Sequence, residues 1–196
     1  MCIAALAVAF LAFSACSNDE SSLPDKRKRD LENLSGVYKD AKPYPYGNAF
    51  GQRVFNFDNG NWALEFTLGL DPNLDHQVFQ FRTHGSYAIL DASAVGKNVY
   101  NAEFGEDKKF VTLKTEDSQL IEAFGFASCG LTPFVEKDIS ADGCALWKAV
   151  SECPIDHDLL ALDDDGRLYF GERPADNDMC SADKRPTSLT PAVTKN

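Results

Sequence analysis

The most reactive side chains in this 196-residue chain are six cysteines, and they fall into two groups. Cys2 and Cys16 lie in an apolar N-terminal stretch, while Cys129, Cys144, Cys153 and Cys180 lie in the C-terminal half. None of these four forms Cys-x-x-Cys, the close pair that a zinc site favours. His157 follows Cys153 by four residues, but that spacing does not give the thiol the oriented base that a nucleophile needs. Four cysteines in an exported domain read as two disulfides, with three pairings open. Cys129–Cys144 with Cys153–Cys180 is favoured, because each bridge closes a modest loop. A loop of about 15 residues contributes roughly 3 kcal/mol in the chain-entropy description.

Acids are the second chemical feature. Asp163, Asp164 and Asp165 precede Gly166, and Glu172 lies six residues after that glycine, the offset found in an EF-hand calcium loop. Ala161 stands where the first oxygen ligand belongs. The segment therefore reads as a hairpin turning at Asp165-Gly166, with solvated acids and no metal. The chain has no Gly-x-Ser-x-Gly elbow, no His-Glu-x-x-His and no phosphate loop, and nothing singles out a carboxylate pair for glycoside chemistry. The expectation is a binding protein that is no enzyme and carries no cofactor. A net charge of −11 argues against a nucleic-acid partner.

The N-terminus addresses the chain to a compartment. "MCIAALAVAFLAFSAC" has no charged residue and suits the apolar region of a signal peptide over 1–15. "FSAC", Phe13 to Cys16, is similar to a bacterial lipobox, with Phe13 where Leu is usual. Cys16 is then the lipidation site. No basic residue precedes the apolar run, which leaves the true start open. Ser17, rather than Asp, points to the outer membrane. Acyl chains contribute roughly 0.8 kcal/mol per buried methylene and anchor stably when two or more are present. The expected localisation is the cell envelope, with the membrane a partner through the N-terminal lipid. Residues 16–34 read as a polar, flexible tether, its "KRKR" at Lys26 to Arg29 a solvated charge run.

The elements that must position any site are strands. In "QRVFNFDNGNWALEFTL", Phe55 and Phe57 alternate with polar neighbours, Asn59-Gly60 is the favoured two-residue turn, and Trp62, Leu64, Phe66 and Leu68 alternate again. "VFQFRTHGSYAIL" repeats the habit with Phe79, Phe81, Tyr87 and Ile89. "NVYNAEF" and "KKFVTLK" are further strands, and "DSQLIEAFGFA" is the one helix, capped by Asp117 or Ser118. This pattern predicts a mostly β domain over 35–190, an antiparallel curved sheet forming a half-barrel or open barrel, stapled by disulfides. Residues 191–196 read as a disordered tail.

Several of these stretches resemble the domain of the adenomatosis polyposis coli down-regulated family of Wnt antagonists. They are "SCGLTPFVEKDISADGC", "GRLYFGERPADNDMCSADKRPTS" and, more loosely, "FNFDNGNW" and Gly85 to Tyr87. The resemblance covers roughly 35–189. It departs from the animal proteins in having one domain copy and no cysteine in the N-terminal half of that domain. It implies a half or open barrel with a large apolar cavity that binds a lipid acyl chain. Together with the alternation, it makes Phe55, Phe57, Trp62, Leu64, Phe66, Phe79, Phe81 and Tyr87 the candidate cavity wall. The alternative is an interaction module, such as a hydrolase inhibitor, acting through loops like the acidic "ERPADND"; its protein partner is unspecified.

The lipid assignment has a direct test. Metabolic labelling with a palmitate analogue is expected to be lost in Cys16→Ala; labelling that persists in the variant contradicts the assignment.

Overall fold

A computed structural model describes residues 22–196, with side chains from residue 26 onward. The expected signal peptide, the lipid site Cys16 and the start of the expected tether lie outside the described residues. The order is α1 (Ser22–Glu32), β1 (Gly36–Lys39), β2 (Tyr44–Tyr46), β3 (Ala49–Asp58), β4 (Asn61–Gly69), β5 (Gln77–Ala92), β6 (Val99–Gly105) and β7 (Lys108–Leu113). There follow α2 (Ser118–Ala123), β8 (Lys137–Asp138), β9 (Ile155–Leu162), β10 (Leu168–Phe170), a short 3-10 turn at Ala182–Lys184 and β11 (Thr194–Lys195).

Local chemistry explains the strongest elements. β3 and β4 are joined by Asn59 and Gly60, both at positive φ (47° and 79°), as a two-residue turn matching strand twist requires. Their register pairs Phe57 with Trp62 and Phe55 with Leu64, so the apolar sets share one face. β5 is long because it serves two partners on one edge. Phe79 to His84 pair with β7, and Tyr87 to Ala92 pair with β6. Gly85 sits where the partner changes. A Cβ there would lie 2.1 Å from the Gly105 carbonyl oxygen, which accepts the Trp62 Nε1 hydrogen bond at 2.9 Å.

The sheet runs β10-β9-β6-β5-β4-β3-β1-β11, with β2 on β3 and β8 on β7. It is nearly closed into a barrel with one seam, and its pairings are antiparallel. The C-terminal segment crosses that seam. Val193 bridges Leu168 and Leu189 bridges Gly171 on one side, while Thr194 and Lys195 pair with Lys39 and Tyr38 of β1 on the other. The expected disordered tail at 191–196 is thus the closing element, with Val193 fully buried.

Two further expectations are corrected. The part of the expected tether from Ser22 onward is helix α1, so the described residues hold two α-helices rather than one. Leu31 and Leu34 enter the core beside Phe57, Tyr87 and Leu168. The Tyr87 hydroxyl donates to the Leu31 carbonyl at 2.9 Å and accepts from the Leu34 N–H at 3.2 Å. Arg27, read as a solvated charge, donates to the Asp163 carbonyl at 2.8 Å and pairs with the Asp164 carboxylate. These contacts are tertiary, which is why periodicity within the segment does not reveal them.

Both disulfides form the favoured pairing, Cys129–Cys144 and Cys153–Cys180. The first holds the loop after α2 against β5 and β7; the second ties the start of β9 to the segment leaving β10. That segment leaves the ladder early: β10 ends at Phe170, and Gly171 makes one further bridge before Pro174, which has no N–H to donate.

Leu31 has no exposed surface, so Leu31→Ala is expected to cost about 2–5 kcal/mol in denaturant unfolding. An unchanged midpoint would mean that α1 is not docked.

Candidate functional site

Inward positions of the strands meet around a cavity of about 940 Å³. Ligand pockets span roughly 300–1,000 Å³, so this one lies at the large end. Phe55, Trp62, Leu64, Phe66, Phe79 and Phe81 line it, as the alternation predicts. Phe57 and Tyr87 do not. They share the inward face but sit in the closed core under α1, where Phe57 meets Tyr87 edge to face at 5.1 Å.

The walls form two aromatic groups. On one side Phe55 stacks on Phe170 at 3.9 Å and Trp62 meets Phe104 edge to face at 4.8 Å. On the other Phe81 stacks on Trp147 at 4.4 Å, and Phe79 packs edge to face with Phe126 at 5.2 Å. Phe124, Phe126 and Trp147 come from the disulfide-held loops rather than the sheet. Tyr46, Leu70 and Leu146 also line the cavity, yet each leaves a third or more of its surface exposed, placing apolar groups where the cavity opens to solvent.

Charge is built into the same interior. Arg53 projects inward from β3 and is met by Asp40, with Nη2 to Oδ1 at 2.6 Å and Nε to Oδ2 at 3.1 Å. It also donates to the Thr190 hydroxyl and the Pro191 carbonyl of the seam segment. A second group combines Glu106, Lys109, Asp156, Asp158 and Arg173. Lys109 Nζ lies 2.6 Å from Glu106, and Arg173 Nη2 lies 2.8 Å from Asp156. Asp158 accepts the N–H groups of Leu159 and Gly171 at 2.7 and 2.9 Å. Burial, then the neighbouring Asp156 charge, pushes Glu106 up to about 7 against the pull of Lys109. Burial likewise pushes Asp158 up to about 6, although Arg173 pulls the other way. Burial also opposes the Arg173 charge, but Asp156, Asp158 and Glu106 outweigh it and hold the guanidinium above its usual value.

Metal chemistry can be weighed from donors. Ligand atoms of Glu106, Cys153 and Asp156 lie within 4.8 Å of one another. Cys153 is in a disulfide and offers no thiolate, and the two carboxylates already face Lys109 and Arg173. At the β9–β10 turn, Asp163 accepts from the N–H groups of Asp165 and Arg167, the Arg167 guanidinium and the Tyr169 hydroxyl. These bonds outweigh its partial desolvation and lower it to about 2; the carboxylate organises the turn.

The ionic group was not foreseen. Its signal is in β9, where Asp156 and Asp158 alternate in phase with Leu160 and so share its inward face. No family model and no curated protein matches this chain.

The raised acids set a pH dependence. Asp158 holds its proton to about pH 6 when folded but releases it near about pH 4 when unfolded. Between those values the folded state binds more protons, so stability falls as pH rises. Below that window Asp158 contributes no penalty; above it the penalty is constant, at roughly 3 kcal/mol. Glu106 acts with the same sign. Asp158→Asn keeps the acceptor for Gly171 and mimics the protonated acid. It is expected to match the native protein in urea unfolding near about pH 4 and to exceed it near about pH 7. A less stable variant at the higher pH contradicts this sign.

Proposed function

We propose that this domain binds an apolar ligand, an acyl chain or lipid, in the sheet-walled cavity, as an envelope protein anchored through lipid on Cys16. The carrying observation is the cavity of about 940 Å³ with aromatic side chains on two of its sides. Burying apolar ligand surface there contributes roughly 25 cal/mol per Å², and the exposed apolar residues at its opening suit a guest delivered from a membrane. Binding rather than catalysis fits the buried acids, because Glu106 and Asp156 are each engaged by a cation.

The alternative of an interaction module draws on Phe134 and Val135, which are 60% and 55% exposed on a loop held by the first disulfide. The cavity is favoured because two residues are few for a protein interface, whereas the cavity recruits most of the aromatic residues of the sheet.

Trp62 and Trp147 are the two tryptophans of the chain, and both line the cavity. Titration with a single-chain amphiphile is therefore expected to change tryptophan emission. Phe66 lines the cavity without being fully buried, so Phe66→Arg is expected to weaken binding at least about tenfold, a loss of about 1.4 kcal/mol. Its circular dichroism should remain native, and Glu65→Lys should bind normally. If Phe66→Arg binds normally, the cavity is not the site.

A further inference from the structure

The lining of the cavity is not uniformly apolar, and its polar part has a definite sign. Glu106, Asp156, Asp158 and Arg173 line it directly, with Lys109 behind Glu106. That group holds three acids and two bases. The remaining charges on the lining are Arg53, which Asp40 neutralises, and Glu172, which accepts from Ser188. Each cation already has an anionic partner. Lys109 donates to Glu106 and to the carbonyls of Lys148 and Cys153; Arg173 donates to Asp156 and to the Asn177 side-chain oxygen; Arg53 is shared among Asp40, Thr190 and Pro191.

Thr83 supplies the second observation. It occupies an inward position of β5 on the cavity lining and is 2% exposed. Among the described residues, its Oγ1 is the buried side-chain oxygen left without a hydrogen-bond partner. Leaving a buried hydroxyl unpaired is costly in a folded protein. In register, Thr83 lies opposite Lys109 on β7 and opposite Leu64 on β4, between the ionic group and the aromatic wall.

Resting on the cavity reading, we infer that the ligand is a single-chain amphiphile whose head group is non-anionic and donates hydrogen bonds, with Thr83 and the Glu106–Asp156 carboxylates accepting from it. A hydroxyl or an ammonium there can pair the Thr83 oxygen and share the carboxylates with their cations, since each ionised carboxylate accepts several hydrogen bonds. A carboxylate head would add to the acidic excess and would have to compete with Glu106 and Asp156 for the ammonium and guanidinium charges.

The probes are dodecan-1-ol, monolauroylglycerol, dodecylamine and dodecanoate, each titrated against tryptophan emission below its micelle concentration. The buffer is held near about pH 8, above the raised Glu106 value. The alcohol, the glyceride or the amine is expected to bind at least about tenfold tighter than the carboxylate. The amine against the alcohol separates a cationic from a neutral head. Glu106→Gln removes the acidic excess and should bring the carboxylate within about threefold of the alcohol. Thr83→Val, nearly isosteric, removes this hydroxyl and should weaken the alcohol. Equal or tighter dodecanoate binding, or a preference untouched in Glu106→Gln, overturns the head-group inference while leaving the cavity reading intact. If none of the probes alters tryptophan emission, both fall.

Discussion

Charges inside the barrel decide the rest of this structure. Arg53, Glu106, Lys109, Asp156 and Asp158 are all buried, and a buried ion cannot be packed against apolar side chains without a partner. Each is therefore tied to a neighbour at fixed distance. The pairs Arg53–Asp40, Lys109–Glu106 and Arg173–Asp156 link β3, the β6–β7 corner, β9 and the segment after β10. They take up inward positions that apolar side chains would otherwise fill. The aromatic residues are left to divide into two groups, and the cavity lies among them. Net stabilisation from such pairs is modest, because desolvation offsets much of the attraction; their larger effect is on shape.

Closure follows from the same constraint. An open edge between β10 and β1 would expose the charged interior and leave ladder groups unpaired. The C-terminal segment fills that seam, and its Thr190 and Pro191 are also the partners that complete Arg53. One short stretch thus closes the sheet and satisfies the guanidinium. The disulfides do comparable work outside the ladder. Cys129–Cys144 brackets the loop that ends at Trp147, and Cys153–Cys180 fixes the segment carrying Arg173 and Asn177. The walls that the sheet cannot supply are held covalently.

Period-two alternation was enough to place Phe55, Trp62, Leu64, Phe66, Phe79 and Phe81 on one face, and the Asn59-Gly60 turn set their register. The cysteine pairing was legible because spacing favoured short loops. Alternation cannot tell a cavity wall from a closed core on the same face. Phe57 and Tyr87 are core because α1 and the residues after it cover them, docked through Leu31, Leu34 and the Tyr87 hydroxyl rather than through a helical apolar stripe. The tail at 191–196 carries no strand signal of its own; pairing to β1 makes it a strand. Trp147 reaches Phe81 through a loop whose path no local pattern encodes.

The most direct test is native mass spectrometry of the protein purified gently from the cells that make it. One single-chain amphiphile per chain, released intact on activation, is the expected result. Only the bare chain, from a protein that still shows native circular dichroism, would contradict the central claim that this barrel is held open for a ligand.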